Sequence, residues 1–200
     1  MALNEVKPNV YRTFEIPKNP DIHKLVTNDK EINALSPCPG QRSLLVLHRQ
    51  SGQPQASRHI DLLRGVIRHV KKQHPFEIIA MVAMPDHLHT IWQLPPDDSD
   101  YSIRWALIKA GFSRALPKTE RIRESRVTKR ERGIWQRRYW EHLIRNDMDL
   151  QAHVNYIHFN QVKHGYCIKP VDWPYSSIHL YIRRGWINSD WALDIDLDVE

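Results

Sequence analysis

Cysteine is nearly missing from this chain. The only two, Cys38 and Cys167, stand far apart and in no C-x-x-C pattern. That excludes a disulfide framework and a cysteine-built zinc site. Long apolar runs are missing too: none approaches the ~18 residues of a membrane span. The first twenty residues, MALNEVKPNVYRTFEIPKNP, lack the apolar core of a signal peptide. No membrane partner and no small-molecule organic cofactor are expected, and the natural setting is a reducing cytoplasm. No internal repeat is visible.

What is present is positive charge. The 200 residues carry a formal net charge of +6 with His neutral, and they include 12 His. Such a balance favours polyanionic partners, nucleic acid first. The length suits one domain with a sizeable core.

Residues 1–58 hold Pro8, Pro17, Pro20, Pro37, Pro39 and Pro54. Proline at this density breaks helices and central strands alike, so irregular structure is expected there. Only SLLVLHR, Ser43 to Arg49, reads as a short strand. From residue 59 the pattern is clear. IDLLRGVIRHVKK places Ile60, Leu63, Ile67 and Val70 at helical spacing, with Arg64, Arg68, Lys71 and Lys72 toward the other side. Two strands follow, about 77–83 and 87–94, joined by a tight turn at MPD. SIRWALIKAGFSRAL reads as a second helix capped by Ser102 or a nearby Asp. A third, DMDLQAHVNYIHFNQVKH, is capped by Asn146 or Asp147 and ended by Gly165. SIHLYIRR reads as a last short helix.

Basic residues cluster between the second and third helices. PKTERIRESRVTKRERG holds Lys129 and Arg130 among few core residues, and reads either as a solvated loop or as a loop that tracks a nucleic-acid strand. In IWQRRYWEHLI, Arg137 and Arg138 interleave with Trp135, Tyr139 and Trp140. Aromatics for bases beside cations for phosphates suit single-stranded nucleic acid, while the two Trp equally suit an ordinary core. Arg137, Arg138, Lys129, Arg130 and Lys163 are the candidate DNA-binding residues.

AMPDHLHTIW poses the chemical question. Residues i and i+2 of a strand share a face, so His87 and His89 project two imidazoles side by side. Alone, a His-x-His is weak evidence; two exposed or internally bonded His would look the same. As a clamp, the pair could hold a divalent ion if a third group joined it. Asn160 offers a carbonyl oxygen, with Gln161 and His164 as neighbouring alternatives. Tyr156, one helical turn from Asn160, offers a phenol that could attack a phosphodiester. Tyr139, Tyr166, Tyr175 and Tyr181 lack such a placement. A His-x-His-x-His nucleotide hydrolase is disfavoured, because Ile91 stands where the third His is required.

AMPDHLHTIWQLP, IWQRRYWEHLIRN, and YIHFNQVKHG followed by DWPYSS resemble the REP-associated tyrosine transposases, within the HUH single-strand DNA nucleases. The resemblance covers roughly residues 59–192. It implies an α+β, ferredoxin-like antiparallel sheet with helices packed mainly on one face; outside it stand an atypical Pro-rich region at 1–58 and an acidic tail at 193–200. It implies cutting and joining of single-stranded DNA beside repeat hairpins, through a 5′-phosphotyrosine and a free 3′-OH, by a monomer. By resemblance Tyr156 is the nucleophile, and His87, His89 and Asn160 hold Mg2+ or Mn2+. Glu141, His142 and Gln161 form a possible secondary site. Two departures stand out. The family's aromatic-rich first strand is not recognisable in residues 1–58, where SLLVLHR is the candidate substitute. Gln161 also stands where the family usually has proline. The alternative is a hairpin-binding protein that no longer cuts, its N-terminus degraded.

Overall fold

The structure is a computed structural model. It describes the backbone of residues 43–49, and residues 56–118, 126, 132–136 and 139–191 with their side chains. The remainder of 1–58, Cys38, and the tail at 193–200 lie outside the described residues.

Four strands build one antiparallel sheet: β1 (Ser43–Arg49), β2 (Glu77–Ala83), β3 (His87–Gln93) and β4 (Trp140–Leu143). Their order is β2-β3-β1-β4. The SLLVLHR strand thus lies inside the sheet, beside the His strand and upstream of the boundary expected at residue 59. Its register sets Leu47 opposite His89 on one side and opposite Trp140 on the other. The MPD turn forms as expected, with Met84 N donating to His87 O at 2.8 Å. The short edge strand β4 is not evident in the sequence.

Helices lie on both faces. On one face, α1 (Ile60–Gln73) buries Leu63, Ile67 and Val70, and α2 (Tyr101–Ala115) buries Trp105, Ile108 and Phe112. They pack on Leu88 and Trp92 of β3. Trp92 stacks on Trp105 with centroids 4.4 Å apart and planes 15° off parallel. Gly111 lets α2 approach α1, since a Cβ there would meet the Val66 side chain at 2.9 Å. Trp135 joins this core at 6% exposure.

The opposite face is covered by α3 (Asp147–Lys163), which buries Leu150, Val154 and Ile157 against Ile79, Ala80, Val82 and Ile91. The expectation of helices mainly on one face describes α1 and α2; α3 crosses to the other. With both faces of β3 covered, six of its seven residues are buried. The cap is the one the sequence points to, Asn146 Oδ1 accepting from Asp149 N at 2.9 Å. Gly165, at φ 70°, ends the helix in the left-handed region. A 3-10 turn (Pro170–Asp172) and α4 (Ile178–Arg183) complete the layer. Among the described residues no helix is long and apolar enough to cross a membrane.

One buried cation knits the first layer to the sheet. Arg104, 2% exposed, donates to both carboxylate oxygens of Asp98, to the carbonyls of His74 and Pro75 at the entry to β2, and to Asp100 O. The hydrogen bond from Arg104 leads the causes that hold the Asp98 carboxyl below the usual range. Removing the carboxylate leaves a buried guanidinium short of charge. We expect Asp98→Ala to cost about 3 kcal/mol in urea denaturation, against under ~0.5 kcal/mol for the exposed Asp190→Ala. Equal effects would remove Arg104 from this role.

Candidate active site

The site starts at the MPD turn. It delivers Asp86 next to His87, whose Nδ1 lies 2.7 Å from Asp86 Oδ1. An ionised carboxylate only accepts, so a proton sits on Nδ1, and in the neutral ring this leaves the lone pair on Nε2. That Nε2 meets Asn160 Oδ1 at 3.3 Å, which sets two acceptors face to face. Asn160 is fully buried, and its Nδ2 has no hydrogen-bond partner among the described residues. Turning the amide over would give Nε2 a donor instead.

His89 completes the pair on the same face of β3. Its ring lies 4.9 Å from that of His87, and both residues are under 5% exposed. Two imidazoles and a carboxamide oxygen form a donor set suited to a divalent ion, and the Asp86 carboxylate behind His87 fixes the tautomer such a ligand needs. His164 stands close by, its ring 5.1 Å from His87.

Tyr156 arrives from α3. Its ring meets His89 edge to face at 5.4 Å. Burial pushes its pKa up, and the neighbouring Asn160 side chain pulls the other way without cancelling the rise. The phenol therefore keeps its proton at neutral pH. Lys163 Nζ lies 5.4 Å from the Tyr156 ring centroid, within cation–π reach. Partial burial lowers the Lys163 pKa.

Helical period explains the convergence. At 3.6 residues per turn, Asp149, His153, Tyr156 and Asn160 fall on one stripe of α3. The Tyr156 and Asn160 end sits over the His pair. At the other end, over β4, Asp149 Oδ2 accepts from His142 Nε2 at 2.9 Å and from Arg145 N at 2.9 Å. Asp149 Oδ1 lies 3.0 Å from His153 Nδ1, which also donates to Asp149 O at 2.7 Å. Sequence reasoning reaches His142 but misses Asp149, His153 and Asp86.

The remaining expected residues are dispersed. Gln161 points away from the His pair and donates to His158 O at 2.6 Å and Pro170 O at 3.0 Å, so α3 runs through it without a break. Glu141 belongs to the opposite face, where it accepts a hydrogen bond that helps push the Tyr101 phenol up to about 12. Lys129, Arg130, Arg137 and Arg138 lie outside the described residues.

Comparison with known proteins bears on this geometry. The family described as "Transposase IS200 like" matches residues 50–160, more than half of the chain. The chain belongs to the IS200-like transposase family. It is 44% identical over 143 residues to a REP-associated tyrosine transposase of Haemophilus influenzae, covering 71% of this chain and 81% of that one. It is 43% identical over 134 residues to the REP-associated tyrosine transposase of Escherichia coli, covering 67% and 73%. A solved REP-associated tyrosine transposase bound to a REP hairpin shares the fold, with a TM-score of 0.63 and 38% identity over 78% of this chain and 87% of that one. Membership supports a transposase-like role in DNA processing for this chain, as its motifs lead one to expect.

The Asp149 cluster makes a testable claim on stability. Burial tends to raise the Asp149 carboxyl, but hydrogen bonds from His142 and Arg145 and the nearby His153 outweigh it, so its pKa lies below the usual value. A depressed carboxyl stabilises the fold fully above its unfolded pKa of ~3.9 and loses that contribution as pH falls through the lower folded value. Asp149→Asn should cost about 2 kcal/mol at pH 7 by urea denaturation. The gap to wild type should close below pH ~4; a gap independent of pH would refute the charge-based reading.

Proposed function

We propose that this transposase cuts and rejoins single-stranded DNA beside repeat hairpins, with Tyr156 as nucleophile. The observation that carries this is the placement of a phenol 5.4 Å, ring to ring, from one member of a buried His pair, with Asn160 one turn further along the same helix. The hairpin partner is inferred from the relative solved with one. The inner position of β1 supports cutting over the binding-only alternative, because the His strand has a neighbour on each side.

Tyr156 Oη attacks the phosphorus, the P–O3′ bond breaks, and the 3′ oxygen leaves with a proton as a free 3′-OH. The new Oη–P bond holds the 5′ phosphate as a phosphotyrosine, and attack by a 3′-OH on that ester reverses the step onto a new strand. Because burial keeps the phenol protonated, loss of its proton must accompany attack. His87, His89 and Asn160 would hold a divalent ion, Mg2+ or Mn2+, which when bound stabilises charge on the phosphoryl oxygens. Asp86 orients His87 for that task. Lys163, beside the phenol, is placed to meet a neighbouring phosphate, and Arg137, Arg138, Lys129 and Arg130 would extend the contact along the backbone.

The deciding experiment incubates the protein with a labelled repeat hairpin bearing single-stranded flanks and Mg2+ or Mn2+, then looks for a denaturation-resistant adduct. Wild type should form it. Tyr156→Phe should form none while binding the DNA nearly as well. An adduct with Tyr156→Phe would reassign the nucleophile, and its absence from wild type that still binds would favour the binding-only reading. A second test concerns the ligand set. Asp86→Asn should weaken Mn2+ binding about 10- to 100-fold by calorimetry, and His87→Ala should abolish both Mn2+ binding and cleavage. Normal cleavage by His87→Ala would show that the site is misplaced.

A further inference from the structure

Trp140 stands apart from the other large aromatics near it. It is 48% exposed, whereas Trp135, in the same aromatic-basic segment, is 6% exposed and packed in the core. An exposed ring of this size offers a broad π-face to a partner.

Its position is set by register. Trp140 pairs with Leu47, and Leu47 pairs with His89. Directly opposite residues of antiparallel strands share a face, so Trp140 belongs to the same face and the same row as the His pair. Two strand spacings separate it from His89, about 10 Å. Its orientation is also held. The indole lies parallel to His142 at 5.9 Å and 5°, and His142 stacks on His153 at 4.8 Å and 22°. Asp149 bridges the two imidazoles, and His153 sits one turn before Tyr156 on α3. One side of the indole thus rests on a braced aromatic ladder, and about half of the residue is exposed.

We propose that Trp140 is a base-stacking residue for the single strand that Tyr156 cuts, holding one unpaired base within a few nucleotides of the scissile phosphate. This rests on the cutting reading above. A flat, braced aromatic beside a phosphate-handling site on a chain of net charge +6 is the combination that binds single strands with little sequence preference, since every base offers a π-face. It would set how far the hairpin stands from the cut.

The test uses Tyr156→Phe protein, so that binding is read without cleavage. Fluorescence anisotropy measures affinity for a repeat hairpin with single-stranded flanks, for the hairpin without flanks, and for flanked hairpins with one abasic position at a time. One abasic position should weaken binding about ten-fold. Adding Trp140→Ala should abolish the sensitivity to that position and leave the flankless hairpin unaffected, and Trp140→Phe should restore most of the sensitivity. The proposal is overturned if no abasic position matters, if the penalty is the same with and without Trp140, or if Trp140→Ala alters only self-association in sedimentation, which would make β4 a contact between copies. The two readings separate cleanly. Coupling to Trp140 without any wild-type adduct sinks the cutting reading alone; an adduct without coupling sinks the stacking proposal alone.

Discussion

The rotation of α3 over the sheet is fixed by four polar side chains that the helix carries in one stripe. Each is met by the strand beneath it. Asp149 and His153 find His142 on β4, while Tyr156 and Asn160 find His89 and His87 on β3. The apolar stripe roughly 100° around the helix binds it to the core, but apolar contacts alone would tolerate some rotation. The directional contacts set the rotation. A turn of α3 that moved Tyr156 off His89 would also break the Asp149 hydrogen bonds. Tyr156 is therefore held by chemistry one to two turns away from it.

The same logic separates the two sides of the sheet. The face under α1 and α2 is built from aromatic stacking and one buried, fully bonded arginine. The face under α3 holds the titratable groups. His158 shows how strictly this second face is kept: burial pushes its pKa down to about 3, and its Nε2 pairs with Ser177 Oγ at 2.8 Å. That hydroxyl also accepts from Met81 N, tying α3 to β2 through a neutral imidazole.

Legibility followed periodicity. The His pair is readable because strand period places i and i+2 together, and Tyr156 with Asn160 because helix period does the same at four residues. The Asn146 cap is local chemistry and is readable too. What escapes is whatever depends on an edge or on a partner distant in sequence. Trp135 and Trp140 sit in one basic, aromatic segment, yet one is core and the other exposed, because the sheet edge falls between them. The ties from His142 to Asp149 and His153 span two elements, and β4, at four residues, is too short for an alternating pattern to declare itself. Asp86 is read as a turn residue, and only the fold reveals its hydrogen bond to His87.

The strand order has a consequence for how the molecule comes together. The row that contains His89 and Trp140 passes through Leu47 of β1, the strand earliest in the chain among those described. Pairing β1 with β3 closes a loop of some forty residues, and pairing it with β4 closes one of nearly a hundred. Local hairpins form fast, but contacts of this separation bear a large loop-closure entropy and slow the search. The β2–β3 hairpin with its two histidines can form early on its own. The row that joins it to Trp140 exists only after β1 has inserted between them, so the candidate site is completed by the slowest contacts in the fold.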